Sequence, residues 1–396
     1  IDQYLDKNYI NNKLRLTPII IKQWIDNNHI GKGDGWHSYT ISIRLRNWIW
    51  VLRVFPELAN KKIISSIWKQ LCWLSSHLEN ANGGNHYIEN LCTLIIASLQ
   101  FDNKKSNKIY STNLNRLKEE LRKQILIDGG HEERSASYHI LLLDRLTELG
   151  CIIELLKKER PNWLVEKIIQ MSSWLELIKL EKNNFPRFND SPKDGCPDLD
   201  LVLNFSLSFI YSKSLNDRNT SGLRAKLLGN HTVPKIHIYK NPLIPKILML
   251  EETGWTFIRP GNGWEIIFKH GLGCPKHLPG HVHSDLFTFD IYKNGNPYIV
   301  EAGTSTYQNN LIRNYERSGK SHNTLELSPR NYEKDLINYK IYEPIDIWNS
   351  FRAGRKANTF GSFSSIDHKD NYWVKSSHDG YKKMGVHYTR KIEFKL

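Results

Sequence analysis

The stretch "GHVHSDLFTFDIYKNGNPYIVEAG", residues 280–303, decides how the C-terminal part of this chain is read. From Leu286 onward aromatic and β-branched residues alternate with polar ones, and Asn294-Gly295 is the dipeptide of a tight hairpin. A two-residue loop pairs Glu301 with Thr288, facing away from His283. A three-residue loop, Lys293–Gly295, pairs it with Phe287, on the histidine side. Alternation also places His281, His283 and Asp285 on one face if the backbone is extended. In a regular strand, residues 283 and 287 stand roughly 13 Å apart. The histidines therefore reach a carboxylate of the next strand only from a bend ahead of the strand.

Around this hairpin the period of two persists. "GWTFIRPG" (254–261), "GWEIIFKHG" (263–271), "HNTLELS" (322–328) and "YTRKIEFKL" (388–396) are short aromatic and β-branched runs punctuated by Gly, Asn and Pro. They predict an antiparallel β-sandwich over residues 251–396. Upstream the period is helical: "ISIRLRNWIWVLR" (41–53) lines up Ile41, Leu45, Trp48 and Leu52, and "YHILLLDRLTELGCIIELL" (138–156) lines up Leu142, Leu146, Leu149 and Ile153. Further amphipathic stretches fall near 61–79, 86–100, 112–126, 162–180 and 198–213. About seven helices with short connections predict stacked hairpins over residues 1–225, as a bundle, a solenoid or a closed toroid. The pattern dissolves at "SLNDRNTSGLRAKLLGNHTVPK" (214–235), so residues 226–250 are read as a linker. The fold class is thus α+β and multidomain: helices first, strands second.

Composition bounds the function. The 396 residues are 40% hydrophobic and 24% charged, enough for two or three cores. Lys and Arg number 55 against 41 Asp and Glu, a formal +14 that favours an anionic partner. The most basic run, "FDNKKSNKIY" (101–110), is read as a solvated loop and no nucleic-acid arm is present. Cys72, Cys92, Cys151, Cys196 and Cys274 show no CxxC spacing, so neither a zinc knuckle nor a disulfide framework is indicated. No apolar run approaches the roughly 18 residues of a membrane span. A start at Ile1 and a final "RKIEFKL" that breaks off in a strand pattern suggest a piece of a longer protein with a truncated sandwich.

Two further stretches concentrate polar groups. In "NGGNHYIENL" (82–91) a Gly pair precedes a helix start, which puts Asn85 and His86 on the same face as Glu89; ordinary capping by Asn85 would explain the pattern without chemistry. In "DGGHEERSASYHILLLDRL" (128–146) a Gly-rich turn delivers His131, Glu132, Glu133 and Arg134, then Ser135 as a candidate cap, then Tyr138 and His139. Adjacent helical residues project about 100° apart, so Tyr138 and His139 cannot both face the core. A buried tyrosine with a satisfied hydroxyl beside a surface histidine is the bland alternative. His322, in "RNYERSGKSHNTLEL" (313–327), is placed where a further strand begins.

Taken in order, "NHYIEN" (85–90), "DGGHEERSASYH" (128–139), "FPRFNDS" (185–191), "GHVHSDLFTF" (280–289), "YIVEAGTSTY" (298–307) and "RSGKSHNTLEL" (317–327) resemble the heparinase II/III family of polysaccharide lyases. The resemblance implies an α/α toroid followed by an antiparallel β-sandwich, and β-elimination on uronic-acid-containing chains. It matches Asn85 and His86 to the pair that neutralises the uronate carboxylate. Glu89 matches an active-site acid of some members, Tyr138 the catalytic tyrosine and His281 an active-site histidine. Arg134 is a candidate cation beside the phenol, and His139 would support it. His283, Glu301 and His322 match metal ligands, with zinc expected in a structural role; Glu301 departs from the family's usual Asp. The +14 charge then suits an acidic polysaccharide partner, and the cell envelope, periplasm or exterior is the implied location. A carbon–oxygen lyase is the leading expectation. The alternatives are a non-catalytic carbohydrate-binding or biosynthesis-associated relative, and a helical nucleic-acid binder; ionisable clusters at helix starts rather than along the helices speak against the last.

Overall fold

A computed structural model of the chain describes residues 7–81, 83–211, 245–327, 343–355, 357–367 and 371–395. Two compact units divide them. One holds the residues up to Lys123, Leu142–Ile169 and the end of the last N-terminal helix from Asn204; the other holds Gln124–Leu141, Gln170–Leu203 and the strand-rich remainder.

The helices follow the apolar stripes. α1 (Lys7–Asn27) is an addition to the expected set, because Pro18 in its middle obscures it in the sequence. α2 (Ser38–Val54) buries Ile41, Leu45 and Trp48 of the predicted stripe. α3 (Lys61–Ser76) opens on Asn60, whose side chain accepts from the Ile63 N–H at 3.0 Å. α4 (Gly84–Ser98) is buried without interruption from Tyr87 to Ser98, as befits a helix enclosed on all sides, and α2 and α3 pack against it. α5 (Lys104–Gln124) begins earlier than the periodicity suggested: Lys104–Tyr110, read as loop, are its first two turns, and their charge hid the helix. α6 (Ala136–Lys157), α7 (Asn162–Ile178) and α8 (Leu199–Tyr211) complete the N-terminal set.

Of the stretch read as linker, residues 226–244 lie outside the described residues, and Ile247–Leu250 form β1. β2 (Trp255–Gly261), β3 (Trp264–Lys269), β4 (Phe289–Lys293) and β5 (Asn296–Ile299) join it in one antiparallel sheet in sequential order. A short helix, α9 (Leu311–Arg317), precedes the hairpin of β6 (Ile345–Asn349) and β7 (Arg352–Arg355). β8 (Thr359–Ile366), β9 (Tyr372–His378) and β10 (Tyr388–Phe394) form a third antiparallel group, with β9 central. Ile258, Ile266 and Phe268 of the first sheet share one core with Tyr372 and Val374 of the third, so these two sheets are the layers of a sandwich. Of the predicted strand "HNTLELS", residues 322–326 run instead as turn and coil, with Asn323 and Thr324 bound to the chain around Leu286–Phe289.

The hairpin register differs from both expected alternatives. Asn294 (φ 51°) and Gly295 (φ 68°) form the two-residue loop, pairing Lys293 with Asn296. A bulge then shifts Ile291 onto Ile299, so the strand carries one extra residue before Glu301. Glu301 consequently turns inward, where it accepts a hydrogen bond from the Thr288 hydroxyl.

Among the described residues no helix is long and apolar enough to cross a membrane, and all five cysteines are free thiols.

Candidate active site

The segment carrying the two histidines is a bend, as the strand spacing required. Residues 281–288 hold no regular strand, and Val282 and Leu286 pin them into an apolar cluster with Cys274, Ile345 and Ala353. Phe287 ends the bend with φ 63°, a left-handed conformation that a bulky residue adopts only under constraint.

Tyr138 reaches this bend from the first turns of α6. Ser135 caps that helix, accepting from the Tyr138 N–H at 3.2 Å, as its sequence position suggested. The Tyr138 hydroxyl lies 3.2 Å from His281 Nδ1 and 2.8 Å from the hydroxyl of Tyr307. Burial, then the Asp190 charge, pushes the Tyr138 phenol well above its ordinary value, and the same causes raise Tyr307 to about 12.

The carboxylate of Asp190 organises the cluster. Fully buried, it accepts from His281 Nδ1 (2.8 Å), His283 Nε2 (2.8 Å), Thr304 Oγ1 (3.0 Å) and, in a two-pronged pair, Arg313 Nη1 (2.5 Å) and Nη2 (2.7 Å). Burial alone would raise the Asp190 carboxyl, but these donors outweigh it and hold it well below the usual carboxylate range. His281 shows the complementary effect. Burial works against its charge, yet the bond to Asp190 and the nearby Glu133, 3.7 Å from Nε2, raise its affinity for a proton. Because a carboxylate only accepts, the proton on Nδ1 faces Asp190, and the tautomer of His281 is fixed.

Asn189 supports the arrangement from a left-handed conformation (φ 55°). Its amide donates to the carbonyls of Glu133, Arg134 and Gly273, and its oxygen accepts from Lys269 at 2.7 Å. Lys269 also pairs with Asp285, so the third residue of the alternating trio serves as a buried counter-ion beside the site.

The expected metal ligands meet in part. His283 and His322 lie with ring centroids 5.3 Å apart, and each keeps one buried ring nitrogen without a hydrogen-bond partner, Nδ1 of His283 and Nε2 of His322. Glu301 is near, bonded to His322 Nδ1 and Thr288. Two imidazoles and a carboxylate are zinc-type donors, and the two orphaned nitrogens fit such an ion. As arranged, Glu301 faces the other nitrogen of His322, and no group of three His, Cys, Asp or Glu among the described residues stands ready to hold a metal ion.

The remaining expected residues have other partners. Arg134 (φ 52°) donates to the backbone carbonyls of Glu132, Glu252 and Thr253, so its guanidinium ties two loops together. His139 is wholly buried against Trp174, with Nε2 2.9 Å from the Met171 carbonyl; burial lowers it to about 3, and it is neutral. In the helical unit, Gly83 and not Asn85 occupies the N-cap of α4, which places Asn85 and His86 in its first turn. His86 stacks on Tyr39 with centroids 4.0 Å apart, and its Nδ1 lies 3.1 Å from Glu79. Glu89 points inward to Arg145 (2.6 Å), whose partner Glu148 also accepts from Arg46 and Trp50. Burial raises Glu89 to about 7.

Sequence reading missed Asp190, Tyr307 and Arg313. All three lie within or beside stretches quoted for the resemblance, but their roles depend on contacts that no spacing rule reveals.

A helical region followed by antiparallel sheets, with a tyrosine from a helix start set against a histidine from a β-domain bend, defines the class of protein. Residues 6–205 match the heparinase II/III N-terminus and residues 245–396 the heparinase II/III-like, C-terminal family. The chain belongs to the heparinase II/III family. It is 24% identical over 352 residues to a heparin-sulfate lyase of Bacteroides thetaiotaomicron, covering 80% of this chain and 48% of that protein. A heparin-sulfate lyase of Pedobacter heparinus is 25% identical over 282 residues, 68% of this chain and 40% of that one. The chain thus spans about half the length of these curated relatives or less. The crystal structure of heparinase III superposes with a TM-score of 0.68 at 18% identity, covering 98% of this chain and 58% of the other. That of a heparan sulfate lyase from Pedobacter heparinus gives 0.58 at 18% identity, with 98% and 57% coverage.

Proposed function

We propose that the chain is part of a polysaccharide lyase that cleaves uronic-acid-containing chains by β-elimination. The observation that carries this reading is the Tyr138 hydroxyl held against His281, with Asp190 fixing the histidine. The family and the names of the curated relatives support it. In this reaction the C5 proton leaves to a base, its electron pair forms the C4–C5 double bond, and O4 departs with the C4–O4 pair and is protonated. Tyr138 is the proton carrier, as base or acid according to the stereochemistry of the uronate. A protonated His281 3.2 Å from the phenol oxygen stabilises the phenolate, offsetting the burial that disfavours it. Asn85 and His86 are assigned to the uronate carboxylate, whose neutralisation makes C5 acidic.

The helices form an α/α toroid in this reading, and an acidic polysaccharide of the cell envelope or exterior is the partner that the +14 charge favours. His283 and His322, through their orphaned nitrogens, with Glu301 would hold a divalent ion, zinc by donor type. When bound, it would cross-link the histidine bend to the chain at His322.

Incubation with a panel of uronate polysaccharides, following the ultraviolet absorbance of the unsaturated product, tests the activity. Product from at least one polymer, lost in Tyr138→Phe, is the expected result. Absence of product from every polymer refutes the lyase and favours a binding relative with the same fold.

A further inference from the structure

Four rings close on one another beside the proposed proton carrier. Tyr138 meets His281 edge-to-face at 4.8 Å, His281 meets Phe351 edge-to-face at 6.0 Å, and Phe351 lies parallel to Tyr307 at 6.0 Å. Tyr307 returns to Tyr138 through the 2.8 Å hydroxyl contact. Phe351 is the odd member: it carries no polar group, titrates nothing, and leaves half of its surface (50%) in water.

That exposure is built in. Phe351 sits at the turn between β6 and β7, and the turn is fastened from beneath by two wholly buried arginines of α9. Arg313 donates to the Ser350 carbonyl at 3.1 Å and Arg317 to the Asn349 carbonyl, while the Ser350 hydroxyl donates to the Tyr307 carbonyl at 2.6 Å. The Phe351 N–H is taken by the Asn349 side chain at 3.0 Å. The fastened turn presents the ring to water beside Tyr307, itself part exposed, and edge-on to His281, so that a ligand at the Tyr138–His281 pair lies within reach of its face.

We infer that Phe351 is a stacking platform for a pyranose ring of the polysaccharide, next to the Tyr138–His281 pair. The chemistry fits one ligand class. The C–H-rich face of a pyranose carries weak positive charge and matches the negative face of an aromatic ring. A phenyl ring accepts that face and carries no polar group that would compete with Tyr138 for the C5 proton or O4. The inference rests on the reading of the chain as a polysaccharide lyase and adds a binding subsite to it.

The test is steady-state cleavage of heparan sulfate, or of whichever uronate polymer the panel identifies, by wild type, Phe351→Ala and Phe351→Trp. Because the side chain is half exposed, its removal leaves thermal unfolding nearly unchanged. A roughly five- to tenfold rise in KM for Phe351→Ala, with kcat within about twofold and KM recovered in Phe351→Trp, is expected. A KM within about twofold of wild type, or a loss confined to kcat, overturns the platform. If wild type cleaves no polymer, the lyase reading fails separately, and calorimetric binding of a heparan sulfate oligosaccharide decides this one. Weaker binding by Phe351→Ala upholds it; equal binding overturns it.

Discussion

Replacing Asp190 with Asn keeps its shape and removes its charge, and the structure sets the consequence. Arg313, wholly buried, loses the anion that meets it at 2.5 and 2.7 Å, and two histidines lose a charged acceptor. Removing one partner of a buried ion pair costs about 3–5 kcal/mol, because the other charge stays in a medium that solvates it poorly. For a unit of this size, each kcal/mol corresponds to roughly 2–4 °C in Tm, so a fall of about 6–20 °C is expected. Differential scanning calorimetry measures it, with Thr304→Val as a reference that removes one neutral donor at 3.0 Å and costs about 1 kcal/mol. The double variant Asp190→Asn with Arg313→Met removes both charges and should be more stable than the sum of the single losses by at least about 1 kcal/mol. A fall below about 3 °C for Asp190→Asn, or strict additivity in the double variant, would refute the assignment of Asp190 as the organising charge.

Tyr138→Phe should lower elimination by about 10²–10⁴-fold and leave polysaccharide binding within about twofold, since only the transferring oxygen is lost; retained turnover excludes Tyr138 as the proton carrier. Glu89 sets a pH dependence of stability. Its folded value of about 7 lies above the ordinary 4.5, so between these pH values the unfolded chain releases a proton that the folded chain keeps. Stability therefore falls as pH rises through that window, by roughly 3 kcal/mol, and denaturant titrations at several pH values should show the slope in wild type and not in Glu89→Gln. Elemental analysis of the purified protein should find about one zinc per chain by the proposed donor set, lost in His283→Ala and in His322→Ala. Equal zinc in wild type and both variants rejects those ligands.

The two-part fold is legible because helix and strand periods differ and each stripe matches a buried face. Ile41, Leu45 and Trp48 in α2 and the alternation ahead of Asn294-Gly295 show this directly. Reading failed where local signals conflict with packing. Pro18 argues against α1, and the lysines of Lys104–Tyr110 resemble a loop although they face water from a helix. The hairpin dipeptide announced the turn, but the extra residue that β5 carries between its Pro297 and Ile299 pairings, which aims Glu301, is not counted by any hairpin rule. Tyr138, His281, His283 and His322 could be named from motifs. Asp190 could not, because its partners lie 91 to 123 residues away in the chain and a lone aspartate after Asn reads as an ordinary turn.

The left-handed Phe287 has a consequence for variation far from the chemistry. Its ring is lodged in the sandwich core with Phe268, Tyr372 and Val374, and that lodging keeps an unfavourable backbone conformation in place directly after the histidine bend. The β-sandwich is thus the mould in which His281 and His283 are cast. Substitutions on β9 that loosen the grip on Phe287 should therefore lower stability and disturb the histidine bend together. At Tyr372 and Val374, two positions that touch none of the reacting groups, a fall in thermal stability should come with a change at the site.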